Sequence, residues 1–116
     1  MRYGSAHNGL NEWYLQRLSA VVVALLMPLI FALMLGVYNG SLDQMQLLNL
    51  LNSHLGRTLH TLFLLALLSH AYLGIKVLVE DYIHIAALRI VLMGLVLSSI
   101  VALGIWWLAV IWAWGS

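Results

Sequence analysis

The sequence contains no cysteine, one proline and, in 116 residues, only nine formal charges, five from Lys or Arg and four from Asp or Glu. Without cysteine the chain can form no disulfide, hold no iron–sulfur cluster and attach no c-type haem covalently, so any such cluster belongs to a partner. A charged fraction of 8%, against roughly 25% in soluble domains, excludes an ordinary water-soluble protein. With a net charge of +1 and no basic run, the chain has no electrostatic footprint for nucleic acid.

What fills the sequence instead is hydrocarbon. Apolar residues make up 64% of it, and residues 18–42, 58–75 and 90–116 contain no charge. Each stretch can cross a bilayer core of about 30 Å at a rise of about 1.5 Å per residue. The pattern predicts an all-α membrane protein built as a single membrane-anchor domain, with three transmembrane helices at about 18–38, 56–79 and 88–114. Three spans joined by short segments leave no room for a soluble catalytic domain. The first apolar stretch is longer than the apolar region of a signal peptide and lacks a small-residue cleavage site, so it reads as a retained span.

Local signals add detail. Residues 1–17 are polar, with Trp13 and Tyr14 near their end, and are expected to lie at the headgroup level before the first span. Residues 1–8 suit a frayed terminus equally well. Pro28 falls inside the first span, where a kink is tolerable. Asn39-Gly40-Ser41 signals a turn, and Met45, Leu48, Leu51 and Leu55 follow at three- and four-residue steps, which predicts a short interfacial helix. Trp106, Trp107, Trp112 and Trp114 gather at the far end of the third span as an aromatic belt would.

Arg2, Arg17, Lys76 and Arg89 fall on one side of these spans and only Arg57 on the other, so the positive-inside rule predicts a cytoplasmic N-terminus and a C-terminus outside. Arg17, Lys76, Asp81, Tyr82, His84 and Arg89 would then converge at the cytoplasmic face.

His70 lies thirteen residues after Arg57 and eleven before Asp81, well inside the second span, where ionisable side chains are rare and mark functional sites. At 100° per residue Phe63, Ala66, His70, Gly74, Val77 and Asp81 share one stripe within about 40°. A neutral imidazole can ligate haem iron, and small residues one turn to either side would let a flat macrocycle approach the backbone. The alternative is that His70 hydrogen-bonds a neighbouring helix and Gly74 permits close helix packing. His60 stands about 15 Å away along the helix axis, so it cannot be the opposite axial ligand of the same iron.

Arg17, at the start of the first span, can reach a propionate carboxylate with its guanidinium fork, or simply snorkel and set orientation. Tyr82 beside Asp81 can donate to a quinone carbonyl, or serve as an interface anchor.

Taken together, Gly9-x3-Trp13-x2-Gln16-Arg17-Leu18-Ser19-Ala20, then His70-Ala71-x2-Gly74, then Asp81-Tyr82 resemble the small hydrophobic membrane-anchor subunits, of cytochrome b type, of succinate dehydrogenase, respiratory complex II. The resemblance covers almost the whole chain, although many relatives have threonine where Ser19 stands and some a histidine near Asn11. It implies that His70 is one axial ligand of a haem b whose other ligand comes from a second anchor subunit. It further implies Tyr82 as a hydrogen-bond donor to ubiquinone, the substrate, with Asp81 as its polar support and Arg17 as a propionate partner. An iron–sulfur subunit and a flavoprotein subunit would hold the clusters and FAD, and the complex would sit among the lipids of a bacterial inner (cytoplasmic) membrane. The anchor of a quinol:fumarate reductase is the close alternative. A small proton-coupled transporter is a weaker one, because Glu12, Asp43, Glu80 and Asp81 all lie outside the spans or at their ends.

Overall fold

The computed structural model describes the backbone of residues 6–113 and the side chains of residues 11–113. Arg2 and Trp114, which enter the charge count and the tryptophan cluster, lie outside the described residues. Four helices follow one another: α1 (Ala6–Tyr38), α2 (Gln44–Asn52), α3 (His54–Tyr82) and α4 (Ala86–Ala113). Three of them are long and apolar enough to cross a membrane, over Asn11–Tyr38, His54–Tyr82 and Ala86–Ala113. The chain is all-helical among the described residues, as composition predicts.

The first helix departs from expectation. No break separates a surface segment from the first span: α1 is one helix of 33 residues that carries Trp13, Tyr14 and Arg17 on the same axis as the apolar run. The polar residues of this segment include no proline, so nothing interrupts the hydrogen-bond ladder before the charge-free stretch begins. The helix also continues through Pro28.

Its end follows from local chemistry. Gly40 takes φ +83°, a left-handed conformation that suits a residue without Cβ, and the Asn39 Oδ1 accepts from the Ser41 backbone N–H at 3.0 Å. Asp43 then caps α2 reciprocally: its carboxylate accepts from the Gln46 N–H at 2.8 Å, and the Gln46 side-chain oxygen accepts from the Asp43 N–H at 2.9 Å. The short interfacial helix anticipated from the spacing of leucines is thus present, although Leu55 belongs to α3.

Ser53 closes α2 and opens α3, its hydroxyl oxygen accepting from the Gly56 N–H at 3.0 Å. A Cβ at Gly56 would stand 2.0 Å from the Leu50 carbonyl oxygen, so only glycine permits so tight a junction.

α3 is the spine. It contacts α1, α2 and α4, whereas among the described residues α1 and α4 do not touch one another. Glu12 of α1 pairs with Lys76 and Ser19 with His70, so α1 runs antiparallel to α3. His60 and Thr61 meet Trp107 and Trp112, so α4 is antiparallel to α3 as well. The buried residues lie on or against this spine: Leu64, Ala66 and Leu73 of α3, Ser19 of α1, and Gly104 and Ile111 of α4. Gly104 allows the closest approach of α4, since a Cβ there would meet Leu68 Cδ1 at 3.0 Å. Elsewhere large apolar side chains face outward, Leu25 at 72% exposure and Ile90 at 71%, which water would penalise and lipid accepts.

Candidate functional site

His70 sits midway along α3, half-buried, on the side that packs against α1. Its Nδ1 lies 3.4 Å from the hydroxyl oxygen of Ser19, and that hydroxyl is 2.9 Å from the Gln16 carbonyl oxygen of its own helix. Ser19 is buried at 3% exposure, the only polar residue so enclosed among those described. A serine suits this crossing because its small side chain lets two helix backbones approach while still offering an interhelical polar contact.

The stripe around His70 is open on one side only. Ala66 is buried by the packing of this chain itself, so it does not present a free surface to a macrocycle. Gly74, one turn beyond His70, has nothing within 4 Å of the place a Cβ would occupy. The ring nitrogen not held near Ser19 and the open backbone at Gly74 suit an axial haem ligand beside a planar group. Among the described residues no three His, Cys, Asp or Glu side chains gather as they would around a bare metal ion.

Toward the Tyr82 end, α1 and α3 are tied by the Glu12 carboxylate and the Lys76 ammonium. The sequence places Lys76 in this zone but does not by itself reveal its partner. The signal was available only through register: once Ser19 is set opposite His70 in an antiparallel pair, the position two turns before Ser19 falls opposite the position two turns beyond His70.

Arg17 is exposed and holds its guanidinium 5.1 Å from the centre of the Trp13 ring, one turn away on the same helix. Asp81 and Tyr82 are exposed at the last turn of α3, Tyr82 at 74%. No hydrogen bond or ion pair within this chain joins Arg17, His70, Asp81 and Tyr82. His70, Asp81 and Tyr82 lie on α3 and Arg17 on α1, with Arg17, Asp81 and Tyr82 toward one end and His70 deeper.

The opposite end is built differently. Trp107 donates its indole N–H to His60, Trp112 donates to the Thr61 hydroxyl at 2.9 Å, and the Arg57 guanidinium lies 5.8 Å from the Trp112 ring centre. Two of the tryptophans anticipated as a belt therefore fasten α4 to α3 through their indole N–H groups, Trp112 while still 45% exposed, and Trp106 stays 65% exposed. Between α1, α2 and α3, and touching α4 at Trp107, an apolar cleft of about 990 Å³ runs at this end, with Leu33 and Phe63 among its walls and His60, Ser53 and Tyr38 among its polar contributors. Its lining suits hydrocarbon.

Three long apolar helices with a histidine held midway along the central one mark a multi-pass membrane protein. Within that class the chain belongs to the succinate dehydrogenase/fumarate reductase transmembrane subunit family, whose model matches residues 1–111. No curated protein matches the chain.

Proposed function

We propose that this chain is the small membrane anchor of a succinate:ubiquinone oxidoreductase, with His70 as one axial ligand of a haem b shared with a second anchor subunit. The observation that carries this reading is the Ser19–His70 contact. It occupies Nδ1 and leaves Nε2 for iron, and it lies beside a glycine with open space. When bound, the haem would supply a one-electron carrier near the quinone.

The remaining roles belong to groups this chain leaves free. Tyr82 donates a hydrogen bond to a ubiquinone carbonyl, Asp81 supports the polar end of that site from one shell out, and Arg17 binds a haem propionate. The flavoprotein and iron–sulfur subunits dock at the Tyr82 end and hold FAD and the clusters. In this reading the N-terminus is cytoplasmic, the C-terminus lies outside and the complex resides in a bacterial inner membrane. The family also includes fumarate reductase subunits, which favours the anchor of a quinol:fumarate reductase as the second reading.

The test is His70→Ala in the purified complex. Reduced-minus-oxidised spectra should lose the b-type signal while the chain stays inserted and bound to its partners. An unchanged spectrum would overturn the ligand assignment and turn attention to His60 and His84.

A further inference from the structure

The reading above uses Ser19 only as the neighbour that occupies Nδ1 of His70, yet the serine is buried and the direction of that contact has chemistry of its own. A serine hydroxyl has a single proton, and here the Gln16 carbonyl oxygen, 2.9 Å away, accepts it. What the hydroxyl presents to His70 is therefore a lone pair. A lone pair selects an N–H.

We propose that Ser19 is a positioning residue: by accepting from the Nδ1–H of His70 it fixes the ring in the tautomer whose Nε2 lone pair is directed to haem iron. The inference rests on the reading of His70 as an axial ligand and adds to it the group that makes the ligand competent. At 3.4 Å the bond is long, so its strength is not the point. The opposite tautomer would set the Nδ1 lone pair against an oxygen whose proton is already committed, and it would protonate the nitrogen that must coordinate. Ser19 is 3% exposed, which leaves water no room to substitute for the lost acceptor.

An imidazole that donates its far N–H is the more basic ligand, and greater basicity favours ferric over ferrous iron. The hydroxyl should therefore hold the haem midpoint potential down. Redox titration of the purified complex tests this with Ser19→Ala, which removes the acceptor, and Ser19→Thr, which keeps it. Ser19→Ala should shift the ferric-to-ferrous affinity ratio by up to about tenfold, an upward move of up to about 59 mV. Ser19→Thr should return the potential toward that of the native complex. The same midpoint potential in Ser19→Ala as in the native complex overturns the inference, and so do equal shifts in the Ala and Thr variants, which would mark a packing role. Where Ser19→Ala does not assemble, Ser19→Cys, close in size with a poor acceptor, should show the upward shift, and its absence overturns the inference. His70→Ala, titrated in parallel, separates the two failures. If it keeps the b-type signal the ligand reading fails, whereas if it loses the signal while Ser19→Ala leaves the potential unmoved, only the role of Ser19 fails.

Discussion

Trp107 and His60 form an interhelical pair with a fixed direction: the indole N–H donates to Nε2 at 3.0 Å, and the rings stand edge to face at 86° with centroids 6.0 Å apart. Indole can only donate, so Nε2 of His60 accepts and the neutral ring carries its proton on Nδ1. His60 and His70, two of the three histidines of α3, each meet a different neighbouring helix. His60 offers a lone pair to α4, and in the tautomer proposed above His70 offers an N–H to α1.

Replacing Trp107 with Phe keeps an aromatic ring against His60 but removes the donor. Interhelical hydrogen bonds in membranes contribute about 0.6 kcal/mol on average, so a loss of about 1 kcal/mol in the stability of the complex is the expected scale. Thermal denaturation in detergent should register a lower midpoint for Trp107→Phe than for Trp106→Phe, because Trp106 faces outward. Equal midpoints would show that the bond contributes nothing measurable.

Gly56→Ala should be far more damaging. The added Cβ would lie 2.0 Å from the Leu50 carbonyl oxygen and 2.9 Å from the Ser53 hydroxyl, and the first of these is backbone that cannot rotate away. Overpacking of this kind costs about 3 kcal/mol, paid by displacing α2 from α3. Limited proteolysis should find the 39–55 link newly cleavable. Gly74→Ala, where nothing lies within 4 Å, is the matched control and should leave the chain's own fold unchanged.

Tyr82→Phe deletes one hydroxyl from an exposed position at the end of α3. If that hydroxyl donates to a quinone carbonyl as negative charge accumulates there, turnover with ubiquinone should fall by about a hundredfold. Binding should change less than rate. Asp81→Asn should be milder, and succinate oxidation by a soluble electron acceptor should persist in both variants because flavin and clusters lie in other chains. Native quinone turnover in Tyr82→Phe would mark Tyr82 as an interface anchor only.

Much of the architecture was legible in the sequence because a bilayer imposes so few solutions. Charge-free stretches that begin after Arg17, Arg57 and Arg89 locate the three long helices, and Asn39-Gly40-Ser41 with Asp43 and Gln46 marks where α1 stops and α2 begins. The beginning of α1 was not legible. Hydropathy reports where lipid is tolerated, and a helix can extend beyond that limit as readily as stop at it.

The site divides in the same way. His70 stands out by its depth alone, but its contact with Ser19 depends on how two helices are set against each other, which one-dimensional spacing does not contain. For the same reason Ala66, on the predicted stripe, is closed off by packing while Gly74 on that stripe remains open. Arg17, Asp81 and Tyr82 make no mutual contact, so in the proposed reading the site they contribute to is completed by neighbouring subunits.

The separation of α1 from α4 has a thermodynamic consequence. Each packs chiefly on α3 and neither on the other among the described residues, with the short α2 the only other element that meets both, so a disturbance in one reaches the other indirectly. Stability effects of distant substitutions without shared partners add to within about 0.5 kcal/mol. A variant at the Glu12–Lys76 contact and a variant at the Trp112–Thr61 contact should therefore behave as strangers, their combined cost equal to the sum of their separate costs. The two flanks of α3 can then diverge independently, each free to follow whatever it meets at its own end.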